Sequence, residues 1–222
     1  GVHLGHQALA GKMARAAHAD GCLAGALTFD RHPLTVLRPD IHLSYLSNMS
    51  ERIALLDAVG LDFVVVWRFT RESSLTTARD FVTALVNHLR MVSLWTGPDF
   101  ALGKDREGNV PRLTELGQEL GYSMHVVEPV YVGEIGVHSS RVRELLSKQG
   151  AVDVAARLLG RPYQLSGEVE RGAGRGRSLG FPTANVAVPP ERLVPANGVY
   201  ACWAWLGDEG HPAAVSVGVR PT

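Results

Sequence analysis

Gly1-Val2-His3-Leu4-Gly5-His6 opens the chain, a pair of histidines spaced around a glycine where an apolar-periodic helix begins. A helix start carries unpaired backbone N–H groups and the positive end of the macrodipole, which suits a phosphate chain. Two imidazoles there add donors for charge that develops on phosphorus during transfer. Gly5, with no side chain, allows close approach to the backbone. Nine histidines in 222 residues also make close pairs by chance, so the phosphate reading has to be supported by the rest of the chain.

Downstream, helical and strand periods alternate. Apolar residues recur at helical spacing from His6 to about Ala19 (Leu9, Met13, Ala16, Ala17), and Cys22 to Phe29 reads as a buried strand. Glu51 to Val59, Ala78 to Leu89 and Leu113 to Leu120 read as helices, and Phe63 to Trp67, Met91 to Thr96 and Ser123 to Val127 as strands. The alternation predicts an α/β fold with a parallel sheet covered on both faces. Such sheets bind ligands at the carboxyl ends of their strands. His3–His6, Asp30–Pro33, Gly97–Gly103 and Val137–Arg141 all fall at such ends or at helix starts. After a helix over Val152 to Leu159 the helical period stops. Alternating runs over Tyr163 to Glu170, Gly198 to Leu206 and His211 to Val217 predict a small all-β domain, a barrel. The expected domains are 1–158 and 159–222.

Bulk composition narrows the function. Lys plus Arg and Asp plus Glu number 22 each, so bulk charge gives no support for nucleic acid or an anionic membrane as partner. No apolar run reaches the ~18 residues of a membrane span. Cys22 and Cys202 lie far apart and outside any metal-like spacing, which argues against a disulfide framework or zinc site and for a reducing compartment, the cytoplasm. Self-association is left open.

Four further constellations carry chemistry. His138-Ser139-Ser140-Arg141-Val142-Arg143 starts a helix with a serine as the expected N-cap. Its arginines oppose the macrodipole unless an anion sits there, the alternative being two solvated arginines beside Glu144. With His3–His6 this makes two helix starts suited to phosphate, and no G-x-x-x-x-G-K-[ST] loop is present. In Gly97–Lys104, Phe100 beside Asp99 offers an aromatic surface to a planar ligand, against a simple turn with Phe100 buried. In Thr28-Phe29-Asp30-Arg31-His32-Pro33, Asp30 either contacts a substrate or caps the turn. In Gly176-Arg177-Ser178-Leu179-Gly180-Phe181-Pro182-Thr183-Ala184-Asn185, glycine amides and the Arg175 and Arg177 cations suit a phosphate. Thr183 and Asn185 are neutral oxygen ligands of the kind Mg²⁺ takes when ATP and water complete its shell. The alternative for the glycines is a β-turn with a Pro-Thr corner.

With these motifs in this order the chain resembles the bacterial bifunctional riboflavin kinase/FAD synthetase family over essentially its whole length. H-x-G-H marks only the nucleotidylyltransferase superfamily. The unbroken Gly176–Asn185 string, with Leu159-Gly160-Arg161-Pro162-Tyr163 before it and Gly198-Val199-Tyr200-Ala201 after it, is far more specific. The resemblance implies a Rossmann-like FMN adenylyltransferase domain followed by a riboflavin kinase barrel. The substrates implied are ATP with Mg²⁺, riboflavin and FMN, and the final product is FAD. It implies that His3, Gly5 and His6 with Ser139, Ser140 and Arg141 serve ATP phosphates in adenylyl transfer. Asp30, Asp99 and Phe100 then lie by the flavin or nucleotide, Gly176, Arg177, Gly180 and Pro182 serve the kinase, and Thr183 and Asn185 serve its Mg-ATP.

Arg31 stands where the family has proline, and His138 where it has serine. Because the motifs run to both ends, the chain reads as a piece of a longer protein. The strand before Gly1 and the kinase's glutamate base after Thr222 are expected outside it, and residues 1–222 alone are expected to lack riboflavin kinase activity. The alternatives are a nucleotidylyltransferase for another phosphorylated acceptor and an idle flavin- or nucleotide-binding module. Intact His3, His6 and Thr183–Asn185 weigh against the second, and the flavin-kinase signature against the first.

Overall fold

A computed structural model describes residues 1–171, 180 and 183–218. The described residues form two compact units. One comprises Val2–Leu43 and Asn48–Val137; the other comprises Gly1, Ser44–Ser47 and the residues from His138 onward.

The first unit is α/β. Its elements are α1 (Leu4–Ala19), β1 (Gly25–Phe29), α2 (Pro33–Leu37), α3 (Met49–Asp57), β2 (Phe63–Trp67), α4 (Ala78–Leu89), β3 (Ser93–Thr96), β4 (Ala101–Leu102), β5 (Gly108–Asn109), α5 (Val110–Leu120), β6 (Ser123–Val126), β7 (Tyr131–Val132) and β8 (Ile135–Gly136). β1 pairs in parallel with β2, Gly25 opposite Phe63 through Phe29 opposite Trp67. β3 pairs in parallel with β6, Ser93 opposite Ser123 through Thr96 opposite Val126. The parallel, helix-linked strands expected from the alternating periods are thus present.

Helix starts follow their caps. Asn48 and Glu51 form a reciprocal capping box that begins α3 at Met49, two residues before the start expected from periodicity. Asn109 caps α5 and Pro111 follows, extending that helix three residues upstream of Leu113, and Gly121 ends it at φ 81. Two cores form. Val2, Ala10, Ala14, Ala24, Leu56 and Leu61 make one; Ala78, Val82, Leu113, Leu116 and Tyr122 make the other. The buried stripe of α1 is Ala10, Gly11 and Ala14 rather than the larger Leu9 and Met13. Small residues let the helix lie close to its neighbours. Leu113 and Leu116 are fully buried, each contributing roughly 1.5–3 kcal/mol of transfer free energy.

The second unit begins with α6 (Ser139–Glu144), which runs on through a π-helical turn, Leu145–Gln149, to Gly150 and then α7 (Val152–Leu159). Val142, Leu145, Leu146, Ala155, Leu158 and Leu159 are buried. The strands after it are antiparallel: β9 (Glu168–Glu170) with β10 (Asn185–Ala187), and β11 (Gly198–Leu206) with β12 (Glu209–Val217). The first alternating run is therefore shorter than Tyr163–Glu170, and the last extends two residues upstream of His211. Ser44–Ser47 are stitched into this unit. The Tyr45 amide donates to Glu191 O at 2.7 Å, and the Leu193 amide donates to Tyr45 O at 3.0 Å. Among the described residues these strands pair as two antiparallel ladders, and no helix is long and apolar enough to cross a membrane.

Candidate active site

His3 is the N-cap of α1 in extended conformation, φ −88° and ψ 173°. Its Nδ1 accepts the His6 amide at 3.3 Å, while Gln7 N–H begins the helical ladder to His3 O at 3.0 Å. The rings of His3 and His6 stack, centroids 3.8 Å apart and planes inclined by 26°. His3 is buried and His6 exposed. The first turn of α1 contains no acidic residue, so an anion at its N-terminus meets no opposing carboxylate on that turn. A Cβ on Gly5 would meet the His3 ring at 3.2 Å.

At the exit of β1, Asp30 is exposed, and its Oδ1 accepts two backbone amides, Arg31 at 2.8 Å and Phe69 at 2.8 Å. Asp30 therefore ties the β1 exit to the β2 exit, as the turn-capping alternative required. Arg31 supplies an N–H that proline lacks. His32 Nδ1 then caps α2 through the Leu34 amide at 3.2 Å. The sequence reading missed Arg52. From α3 it donates to Thr28 Oγ1 at 2.8 Å and Phe29 O at 3.0 Å, bracing the same exit. One arginine on a helix carries no signal in the sequence; the capping box that orients α3 was the only available clue.

The β3 exit turns at Gly97, where Phe100 N–H bonds Gly97 O at 3.3 Å. Phe100 is 39 % exposed, not buried in the turn. Arg106 donates to the carbonyl of Asp99 at 3.2 Å. Gly103, at φ 78, lies where a Cβ would meet the Ala78 amide nitrogen at 2.5 Å, and Glu107 accepts that amide's proton at 2.7 Å. The loop is thus fastened to the start of α4.

In the second unit the N-cap of α6 is His138, without a side-chain cap bond, so Ser139 and Ser140 are its first helical residues and not the expected cap. Arg141 pairs with Glu144 at 2.8 Å, both partly exposed, a contact worth at most about 1 kcal/mol. Arg143 donates to Ser44 O at 3.0 Å, and burial pulls its guanidinium below the usual arginine range. The first-turn cations therefore have protein partners. Thr183 and Asn185, at the entry of β10, are exposed, and Gly180 lies in a turn at φ 80. Gly176, Arg177 and Pro182 lie outside the described residues. The structure brings His3, Gly5 and His6 together on one helix turn and ties Asp30 to the β2 exit. Ser139, Ser140 and Arg141 belong to the other unit.

Comparison with known proteins adds independent evidence. A family model for FAD synthetase matches residues 1–141, and one for riboflavin kinase matches residues 159–222. The bifunctional riboflavin kinase/FMN adenylyltransferase of Escherichia coli (strain K12) is 35% identical over 225 residues, covering 100% of this chain and 71% of the relative. Proteins of the same name from Listeria monocytogenes and Bacillus subtilis are 32% and 31% identical, each match covering 100% of this chain and 70% of the relative. A solved structure titled a macrolide-efflux protein from Streptococcus pneumoniae superposes with TM-score 0.88 at 28% identity, covering 98% of this chain and 70% of that one. With both family models matched in order and relatives aligned along its whole length, the chain belongs to the bifunctional riboflavin kinase/FMN adenylyltransferase family.

Proposed function

We propose that the full-length protein makes FAD in two ATP-dependent steps and that His3 and His6 lie at the centre of the second. The observation that carries the reading is the capped, imidazole-stacked start of α1, free of acidic residues in its first turn, within the stretch that matches FAD synthetase. In the first step the 5′-hydroxyl of riboflavin attacks the γ-phosphorus of ATP, giving FMN and ADP. In the second a phosphate oxygen of FMN attacks the α-phosphorus of ATP, the bond to the β-phosphate oxygen breaks, and pyrophosphate leaves. Neither step forms a covalent bond to the protein, so catalysis consists of positioning and charge stabilisation.

His6 and His3 donate to phosphate oxygens as negative charge builds, and the Leu4 and Gly5 amides of the first turn add fixed dipoles. Ser139, Ser140 and Arg141 are further candidate donors to ATP phosphate, Arg141 being paired with Glu144 in the structure. Phe100 and Asp99 at the β3 exit face the flavin, and Asp30 holds its neighbouring loop in shape. In the kinase domain Gly176, Arg177, Gly180 and Pro182 are assigned to nucleotide or flavin binding. Among the described residues no group of three or more His, Cys, Asp or Glu side chains is placed to hold a metal. Thr183 and Asn185 would add neutral oxygens to Mg²⁺ that arrives on ATP. Bound Mg²⁺ neutralises phosphate charge. The free thiols Cys22 and Cys202 suit a reducing cytoplasm.

The test is incubation of the full-length protein with riboflavin, ATP and Mg²⁺, the products being separated by chromatography. FMN should appear first and FAD after it. ATP consumption with neither flavin product would refute the reading.

A further inference from the structure

Gly5 occupies the second position of a sixteen-residue helix, a place where alanine is the better helix former. Its φ is not positive, so no backbone conformation there requires glycine. The nearest side-chain and non-helical atoms to a Cβ built on it are Cε1 and Nδ1 of His3, both at 3.2 Å, and Val137 O at 3.6 Å. The first two distances are tighter than an ordinary contact. A side chain at position 5 would therefore push the His3 ring aside by a few tenths of an ångström.

That ring has a defined hydrogen-bonding state. Nδ1 accepts the His6 amide proton, and an imidazole nitrogen that accepts carries no proton. With Nδ1 as acceptor, the ring proton of His3 is assigned to Nε2. The same fold of the ring sets it against the His6 imidazole at 3.8 Å.

We propose that Gly5 is a positioning residue for adenylyl transfer: lacking a Cβ, it lets the His3 imidazole close over the first turn of α1, where the His6 amide fixes it as the Nε2–H donor and the stack orients His6. The inference rests on the reading of α1 as the adenylyl-transfer helix and adds a role for the motif's glycine.

Nitrogen-15 NMR of the imidazoles in the ligand-free full-length protein tests it, with assays of FAD formation from FMN. The wild type should show His3 as the Nε2–H tautomer; a proton on Nδ1 overturns the proposal whatever the variants do. Gly5→Ala should shift His3 toward mixed tautomers and lower kcat for FAD formation roughly 100-fold, the scale of a small misplacement of reacting groups, with KM for FMN and the melting temperature little changed. His3→Asn, whose side chain still caps the helix, should melt like the wild type yet lose FAD formation to a similar degree. If the wild type makes FAD but Gly5→Ala keeps the wild-type tautomer or the wild-type kcat, the proposal fails while the functional reading stands. If the wild type makes no FAD from FMN and ATP, the functional reading itself has failed.

Discussion

Arg52 shows what a single side chain contributes to the β1 exit. It holds Thr28 and Phe29 from α3 through two partly buried hydrogen bonds. Arg52→Met keeps much of the aliphatic stem and removes both donors. Chemical denaturation should show a loss of about 1–3 kcal/mol, two hydrogen bonds at a net of roughly 0.5–1.5 kcal/mol each, and an unchanged midpoint would contradict the bracing role. The histidine pair was legible in the sequence because spacing on a helix start is a local property. Arg52 was not, since its partners lie 24 and 23 residues away and no period marks them. Asp30 lay between the two cases: its turn was visible, whereas the Phe69 amide that completes its role came from β2.

The elements are set by their ends more than by their middles. Periodicity located α3, α4 and α5, but Asn48, Thr77 and Asn109 decide where they start. At α6 the serines looked like a cap and His138 holds that position instead, because the preceding extended backbone reaches one residue less far than the hydroxyls suggested. The far end of α1 is fastened by Asp62, whose carboxylate accepts the Ala24 amide at 2.7 Å and meets His18 at 2.8 Å. The Ala24 amide, then His18, hold its pKa below the ordinary carboxylate value. Its contribution to stability is therefore complete above the unfolded value of about 3.9 and is lost as pH falls through the lower folded value. Asp62→Asn should be less stable than the wild type at neutral pH, with the gap narrowing below about pH 4. A gap of constant size across that range, measured by thermal melts, would show that the charge plays no part.

For the whole molecule, the change of period after Leu159 predicts domains 1–158 and 159–222, whereas the compact units divide between Val137 and His138, and the two family matches cover 1–141 and 159–222. The return of Ser44–Ser47 to the unit that contains β11 and β12 was not readable. Those residues are held by backbone bonds to Glu191 and Leu193, and backbone pairing between distant segments leaves little trace in side-chain pattern. Net charge of zero accords with small anionic substrates met at local sites, as against a charged surface met by a polymer. The central claim is that FAD formation and FMN formation are separate chemistries and that only the first runs through the opening histidines. Substituting His6→Ala in the full-length protein and following riboflavin, FMN and FAD together tests it most directly. FMN should accumulate at the wild-type rate while FAD formation falls by about 100-fold or more, the usual cost of removing a donor to a developing charge. FAD formed at the wild-type rate, or FMN and FAD lost together, would contradict the account.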